Sequence, residues 1–249
     1  MRGLATRVAV VTGAGGGIGE AIVRRLAEEG VRVALADVDL AAAATVAARV
    51  PTGDLWPMQV DVTSENDLAH MVAELCRRWE RIDILVNNAG RTRVGPFLSS
   101  HEEHWEELFR IDVFGVLRAS RAVLPIMQAQ HWGRIINIAS DAARVGLAGQ
   151  AVYAAAKGAV LAFTKSLARE VAADGVLVNA VSPGPVNTPP LRRLFERQPE
   201  LARQLEREIP LGRVAEPDEV AATVAFLASD DACYLTGQVI SVNGGWVML

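Results

Sequence analysis

Short apolar runs of strand length alternate with amphipathic helical patterns along most of the chain, and this alternation restricts the possible folds more than any other feature. The runs are continuous and rich in β-branched residues, as in RVAVVT at 7–12, which is typical of strands buried on both faces. Strands that are each followed by a helix predict a parallel sheet with helices on both faces. The predicted strands are 7–12, 31–36, 56–60, 82–86, 134–139, 177–181 and 238–242, and the predicted helices are 20–29, 39–50, 65–79, 102–130, 153–173 and 218–229.

We predict one domain spanning residues 1–249, because no repeat, linker or low-complexity tract interrupts the alternation. A chain of this length buries roughly 70–75% of its unfolded surface, so its core needs no disulfide or metal. The alternation of strands and helices is interrupted at 185–212, where a charged helical segment has proline-rich flanks. An insertion of this kind between two strands is a candidate substrate lid.

Charge and hydropathy exclude several classes of function. A net charge of −4 and a pI of about 5.6 do not attract a phosphate backbone, so we expect no nucleic-acid partner. No apolar stretch reaches the ~18 residues of a membrane-spanning helix, so we expect no membrane partner. Cys76 and Cys233 are far apart and form no C-x-x-C pair, which predicts reduced thiols in a cytoplasmic protein.

A glycine-rich loop, TGAGGGIG at 12–19, follows the first predicted strand and opens the first helix. Gly13, Gly17 and Gly19, with Ile18 between them, let the backbone turn tightly and approach a pyrophosphate at the helix N-terminus. A lone loop of this type is also compatible with a plain turn, but its position after the first strand favours a dinucleotide.

Asp37 follows Gly19 by 18 residues and ends the second predicted strand. A carboxylate at this place accepts hydrogen bonds from an adenosine ribose and repels a 2′-phosphate. No Arg or Lys occupies positions 36–41. We therefore expect NAD, and not NADP, as the cofactor.

Three polar residues are candidates for acid–base chemistry. Tyr153 and Lys157 are four residues apart at the start of a helix and so share one face. A lysine ammonium near a phenol stabilises the phenolate and lowers its pKa from ~10, which produces a general acid or base. Ser140 ends the fifth strand, at the edge of a parallel sheet where ligands bind. Taken alone, Y-x-x-x-K is also typical of a packed tyrosine beside a solvated lysine.

Together these motifs occur in the order of the short-chain dehydrogenase/reductase family, which the chain resembles over essentially its whole length. The shared motifs are TGAGGGIG at 12–19, Asp61-Val62, NNAG at 87–90, Ser140, YAAAK at 153–157 and PGPVNT at 183–188. The resemblance implies a single doubly wound Rossmann domain with a seven-stranded parallel sheet, and hydride transfer at a nicotinamide. The substrate would be a small secondary alcohol or ketone.

The resemblance also implies roles for individual residues. Tyr153 would be the acid/base, Lys157 would lower its pKa and hold the nicotinamide ribose, and Ser140 would bind the substrate oxygen. The remaining implied cofactor contacts are Asp61 and Val62 around the adenine, Asn88 on the adenosine side, and Val186 and Thr188 at the nicotinamide carboxamide.

Assembly is implied by the same resemblance, which predicts a homotetramer of D₂ symmetry. We expect its interfaces to include the long fourth and fifth helices, the last helix and the seventh strand. The apolar C-terminal residues Val247, Met248 and Leu249 should belong to the same surface.

One position departs from the family pattern. Members usually carry Asn in a V-N-x-x-G motif of the fourth helix, whereas 111–115 reads IDVFG here, with Asp112 at that place. Either the aspartate is a tolerated replacement, or its charge takes part in the proton relay and alters the pH profile. We include Asp112 among the candidate catalytic residues.

A narrower resemblance concerns the substrate. Residues 137–158, with PGPVNT and IPLGR, resemble dehydrogenases of 2-hydroxycyclohexanecarboxyl-CoA, which suggests a cyclic or acyl-CoA alcohol. The chain also resembles 3-oxoacyl-(carrier protein) reductases, although these usually accept NADPH, which Asp37 disfavours. A third alternative is a dinucleotide-sensing protein without turnover, but such proteins usually lose the catalytic Tyr or Lys.

His101 and His104 form an H-x-x-H pair that could indicate a metal. However, Ser100 and Glu103 have the spacing of a capping box, which would place both histidines on the first, solvated turn of a helix. We therefore predict no metal site.

Overall fold

A computed structural model describes residues 1–248, and Leu249 lies outside the described residues. Seven parallel strands form one sheet in the order β3-β2-β1-β4-β5-β6-β7. This order confirms the predicted single doubly wound α/β domain. The strands are β1 (Val8–Thr12), β2 (Arg32–Asp37), β3 (Leu55–Gln59), β4 (Ile84–Asn87), β5 (Gly133–Ile138), β6 (Val176–Pro183) and β7 (Val239–Val242).

The helices cover both faces of this sheet, because alternate side chains of each strand point to opposite sides. On β1, Ala9 and Val11 pack with helices α1 and α10, whereas Val8 and Val10 pack with α3, α5 and α7. The helices are α1 (Gly17–Glu28), α2 (Leu40–Arg49), α3 (Glu65–Trp79), α4 (Glu102–Phe109), α5 (Val116–Ala129), α6 (Ala142–Val145), α7 (Ala151–Val171), α8 (Pro189–Arg197), α9 (Pro199–Glu208) and α10 (Pro217–Ala228). None of those within residues 1–248 is both long and apolar enough to cross a bilayer.

The predicted long helix at 102–130 is present from Glu102 to Ala129, but its middle turn is π-helical, which the sequence-based interpretation did not include. Helices α4 and α5 are joined by a π-helical segment, Arg110–Gly115. In this segment Asp112 is buried and turned inward, and a Cβ on Gly115 would lie 2.8 Å from Val62 Cγ2. Such π segments occur frequently at functional sites, since they redirect one side chain out of the helical register.

The predicted capping box was also wrong. Helix α4 begins at Glu102 after His101, with no side-chain cap. The Ser100 hydroxyl instead donates to Phe97 O at 2.7 Å and accepts from Trp105 Nε1 at 2.8 Å. This bond holds Trp105 in place, and the Trp105 ring stacks on Phe97 at 5.4 Å between centroids.

The segment predicted as a lid folds into α8 and α9, and neither helix has a buried residue. It leaves the sheet after β6 through Val186 and returns at Ala215, which pairs with Val186. All seven strands end at one edge of the sheet because they are parallel, so the loops after β1, β4, β5 and β6 share that edge with the base of this segment.

Candidate active site

The glycine loop between β1 and α1 has the shape of an anion cradle. A Cβ on Gly19 would lie 2.1 Å from Gly13 O, so only glycine fits there. Gly13 and Gly17 have φ values of 62° and 58°, which disfavour other residues. No side chain caps α1, and a Cβ on Gly16 would meet open space. The first amides of α1 are therefore free for a pyrophosphate, and this cradle fits a dinucleotide.

Asn88 locks this loop from the end of β4. Its Nδ2 donates to Thr12 O at 3.0 Å and to Gly13 O at 2.9 Å. The Thr12 hydroxyl in turn accepts from the backbone amides of Asn88 and Ala89. Asn88 thus orients the loop from behind, and sequence reasoning had not singled out Thr12.

Asp37 ends β2 beside the same loop. Its Oδ2 accepts from Gly15 N at 2.8 Å and its Oδ1 accepts from Asp39 N at 3.0 Å. Each carboxylate oxygen keeps a further lone pair that a ribose hydroxyl could use. A 2′-phosphate would meet this fixed negative charge instead, which is unfavourable.

The neighbouring loop after β3 carries the predicted adenine contacts. Asp61 accepts from Thr63 N at 2.8 Å, and its own amide donates to Asp67 Oδ2 at 3.0 Å. Val62 is buried against Gly115 of the π segment. These bonds fix both residues beyond Asp37, on the side of the sheet where an adenosine would lie.

Val186 and Thr188 lie near the N-terminus of α1, away from the adenosine side described above. Val186 is buried, and its carbonyl accepts from Thr188 N at 2.6 Å. A Cβ on Gly17 would lie 3.6 Å from the Thr188 methyl group. The segment after β6 therefore meets the cradle, whereas the Ile18 side chain packs into the core below.

Lys157 and Asp112 form a buried ion pair at the edge of the sheet where the strands end. Lys157 Nζ lies 3.1 Å from Asp112 Oδ2, and both residues are nearly inaccessible. Nζ also donates to Ile138 O at 3.1 Å. Asp112 Oδ1 accepts from Arg91 N at 2.8 Å, while Oδ2 accepts no well-directed hydrogen bond. A Cβ on Gly90 would crowd both charges.

The charge of Asp112 controls the protonation of Lys157. Burial disfavours the ammonium, but the negative charge of Asp112, assisted by Tyr153, outweighs burial and raises the pKa of Lys157 above its ordinary value. Lys157 therefore remains a cation throughout the ordinary pH range.

Tyr153 lies half-buried on the first turn of α7, with Lys157 one turn further along. Lys157 Nζ is 5.9 Å from the centre of the Tyr153 ring, close enough for its charge to act on the phenol. Ser140 follows β5 at the same edge and is half-buried, with its Oγ accepting from Ala142 N at 3.2 Å. The Ser140 hydroxyl proton remains free for a ligand.

A cleft of about 330 Å³ opens beside Tyr153. Its walls are the stacked Phe97 and Trp105 rings on one side and the start of α7 on the other, with Leu108 between them. His101 and His104 lie at this cleft with their rings 5.8 Å apart. In residues 1–248 no group of three or more His, Cys, Asp or Glu side chains is placed to hold a metal ion.

Comparisons with known proteins agree with this geometry. A family model described as enoyl-(acyl carrier protein) reductase matches residues 13–247. A Thermotoga maritima 3-oxoacyl-[acyl-carrier-protein] reductase is 38% identical, over 97% of this chain and 98% of the relative. A counterpart from Synechocystis is 40% identical over the full length of both chains.

A relative with a different name is similarly close in sequence. The 2,3-dihydroxy-2,3-dihydro-p-cumate dehydrogenase of Pseudomonas putida is 41% identical, over 98% of this chain and 95% of the relative. The crystal structure of gox2181 superimposes with a TM-score of 0.93 at 35% identity, over 97% and 96% of the two chains. These relatives are not 2-hydroxycyclohexanecarboxyl-CoA dehydrogenases, so they do not support the narrower resemblance.

Proposed function

This chain is an oxidoreductase of the short-chain dehydrogenase/reductase family, and we propose that it transfers a hydride between NAD(H) and a ketone or secondary alcohol. One observation carries the proposal: the cationic Lys157 lies 5.9 Å from the Tyr153 ring, at the same sheet edge as a cradle that fits a dinucleotide. The nicotinamide, when bound, supplies or accepts the hydride.

In the direction of reduction, Tyr153 donates its phenolic proton to the substrate oxygen as the carbonyl carbon is reduced. Ser140 donates a hydrogen bond to the same oxygen and holds it beside the phenol. The ammonium of Lys157 stabilises the phenolate that remains. Oxidation uses the reverse steps, with Tyr153 as the base.

Asp112 belongs to the same proton path. Its carboxylate neutralises part of the Lys157 charge, so its presence opposes phenolate formation at Tyr153. Of the two alternatives from the sequence, we therefore favour a functional charge over a tolerated replacement.

We assign the remaining cofactor contacts by position along the edge. Asp37 binds the adenosine ribose, Asp61 and Val62 flank the adenine, and Asn88 supports the loop under the adenosine side. Val186 and Thr188 bind the carboxamide, since their segment meets the cradle at Gly17. Helices α8 and α9 close over the substrate as a lid.

Cofactor choice is tested by comparing kcat/KM for NAD and NADP. We expect a preference for NAD on the order of 10²-fold or more, because a phosphate beside the Asp37 carboxylate costs several kcal/mol. Asp37→Ser should narrow this preference. Asp39→Ser is the matched control, since serine preserves the cap that Asp39 gives to Ala42 N. Equal kcat/KM values for the two cofactors in the wild-type protein contradict the proposal.

For the substrate, we propose a 3-oxoacyl thioester, the class named in the 3-oxoacyl reductase relatives. A cyclic alcohol is the second candidate, and the aromatic cleft beside Tyr153 favours it. The named substrate of the P. putida relative, a dihydroxy-dihydro-cumate, belongs to this second class. The stacked rings of Phe97 and Trp105 offer an apolar wall against which the ring of a cyclic substrate could pack.

A paired assay separates the two classes. Acetoacetyl thioesters are supplied with NADH, and cyclohexanol and cyclic diol carboxylates with NAD, and the absorbance of the reduced nicotinamide is followed. A kcat/KM at least tenfold higher for the thioester supports the first class. A kcat/KM at least tenfold higher for a cyclic alcohol supports the second class, provided that Trp105→Ala removes this preference. Absence of turnover with every ketone and alcohol contradicts hydride transfer itself.

A further inference from the structure

A buried carboxylate lies directly beside Ser140 and takes no part in the proton path described above. Asp141 is fully inaccessible. Its Oδ1 accepts from the Ser241 hydroxyl at 2.7 Å, and its Oδ2 accepts from Asn243 Nδ2 at 2.5 Å. A buried carboxylate is costly unless it is paired and hydrogen-bonded, so this group is held in one orientation.

Arg144 completes the cluster. Its guanidinium donates to Ser241 Oγ at 2.5 Å and lies 4.0 Å from Asp141 Oδ1. The Ser241 hydroxyl therefore accepts from the cation and donates to the anion. The four side chains of Asp141, Arg144, Ser241 and Asn243 form a neutral clamp between the turn after β5 and the end of β7.

The clamp extends to the base of the lid. Asn243 Oδ1 accepts from Gly245 N at 2.9 Å, and Asn243 Nδ2 also donates to Val247 O at 2.8 Å. Gly244 lies in the turn that Asn243 holds, and its carbonyl oxygen accepts a hydrogen bond from the backbone amide of Leu211 at 3.2 Å. Leu211 follows the end of α9, so one chain of hydrogen bonds joins the Ser140 turn to the segment behind the lid.

Backbone hydrogen bonds of Asp141 also hold the turn next to Ser140. Asp141 N donates to Pro183 O at 3.0 Å, and Asp141 O accepts from Arg144 N at 2.9 Å. Ser140 is the adjacent residue, and its Oγ is held by a single amide, Ala142 N. Its orientation is thus set mainly by the turn that Asp141 anchors.

We propose that Asp141 is a positioning residue, whose clamp to Ser241 and Asn243 aims the Ser140 hydroxyl at the substrate oxygen. The inference rests on the proposed function, in which Ser140 binds that oxygen. A misplacement of about 1 Å at such a group costs on the order of 10²-fold in rate. The cofactor contacts at the glycine loop and at Asp37 involve none of the four clamp side chains, so cofactor affinity should not depend on the clamp.

The principal variant is Asp141→Asn, whose single amide oxygen can accept from only one of Ser241 and Asn243 and whose NH₂ then faces the other donor. We expect kcat to fall on the order of 10- to 10²-fold while the Kd for NADH, measured by fluorescence, changes by less than about twofold. The double variant Asp141→Asn/Asn243→Asp exchanges donor and acceptor and should recover part of kcat. Asp83→Asn is the matched control, because Asp83 is an equally buried carboxylate paired with Arg7 and Arg81 before β4. It should lower the Tm without changing kcat.

The decisive comparison places Asp141→Asn in a Ser140→Ala background. A residue that acts through Ser140 has nothing left to position there, so kcat of the double variant should equal that of Ser140→Ala. A further loss of tenfold overturns the inference, because a general structural defect would act in both backgrounds. If Asp141→Asn does not fold, Ser241→Ala is the milder variant for the same cycle. If Ser140→Ala alone keeps full activity, the proposed function fails instead.

Discussion

Replacing Asp112 by Asn leaves the shape of the side chain nearly unchanged but removes one buried negative charge beside Lys157. Lys157 then acts on Tyr153 with its full positive charge, which favours the phenolate needed for alcohol oxidation. We expect the ascending limb of the oxidation profile to move to lower pH in Asp112→Asn.

The size of this shift follows from two distances. Nζ lies 3.1 Å from Asp112 Oδ2 and 5.9 Å from the Tyr153 ring centre, so the carboxylate and the ring are at most about 9 Å apart. At an effective dielectric constant of about 20, one charge at 9 Å contributes ~1.8 kcal/mol. Since 1.36 kcal/mol corresponds to one pH unit, we expect a shift of about 1–1.5 units.

A second change should appear at high pH. Asp112 raises the pKa of Lys157 against the opposing effect of burial. Without this carboxylate, only Tyr153 opposes the effect of burial, so the pKa of Lys157 should fall. The lysine then loses its proton within the alkaline range, and oxidation should decline there in Asp112→Asn but not in the wild-type protein.

The assay is the rate of alcohol oxidation between about pH 5.5 and pH 10.5 at saturating NAD. Glu107→Gln is the matched control, because it also removes one negative charge, from a pair with Arg91 at 2.9 Å near the protein surface. Its profile should coincide with that of the wild-type protein. An unchanged profile in Asp112→Asn, or a shift to higher pH, would refute the reasoning.

Three further predictions concern the loop, the assembly and a helix cap. Gly19→Ala should abolish NADH binding in a fluorescence titration, since its Cβ would collide with Gly13 O. Gly16→Ala should reduce the affinity for NADH far less. Equal NADH affinities of the two variants would contradict the assignment of this loop as the dinucleotide cradle. Sedimentation should show a homotetramer, and a stable monomer at micromolar concentration would refute it. Glu219 has its pKa lowered to about 2, first by a hydrogen bond from Arg213. Glu219→Gln should therefore lower the Tm at pH 7 by about 2–4 °C. The difference in Tm between the two proteins should shrink as the pH falls from 4.5 toward 2. A Tm difference that does not depend on pH would contradict this prediction.

Most of the fold could be predicted because its signals are local. Helix α3 was predicted to the residue, since its apolar stripe is strong, Ser64 caps its start, and Glu80 ends it in a left-handed conformation with φ of 62°. The strands were recognisable as short apolar runs between glycine and charged residues. Ends of strands shifted by one or two residues, as at β4, where pairing with β1 begins only at Ile84.

The features that could not be predicted depend on contacts between distant residues. The π segment at Arg110–Gly115 contacts Val62 through Gly115 and Lys157 through Asp112, and both partners are distant in sequence. Nothing in the pattern of the fourth helix indicates this change of helix type. The clamp joins Asp141 to Asn243, 102 positions away, and no local pattern of the sequence links these two residues.

The central claim, that Tyr153 is the acid/base of the hydride-transfer reaction, is tested most directly by comparing the wild-type protein with Tyr153→Phe. The substitution removes only the transferable proton, so we expect kcat to fall by at least ~10³-fold. The Kd for NADH, measured by titration, should stay within about twofold, because the ring still packs beside Leu108 and Ala156. A kcat of Tyr153→Phe equal to that of the wild-type protein, at unchanged NADH affinity, would contradict the assignment of Tyr153 as the acid/base.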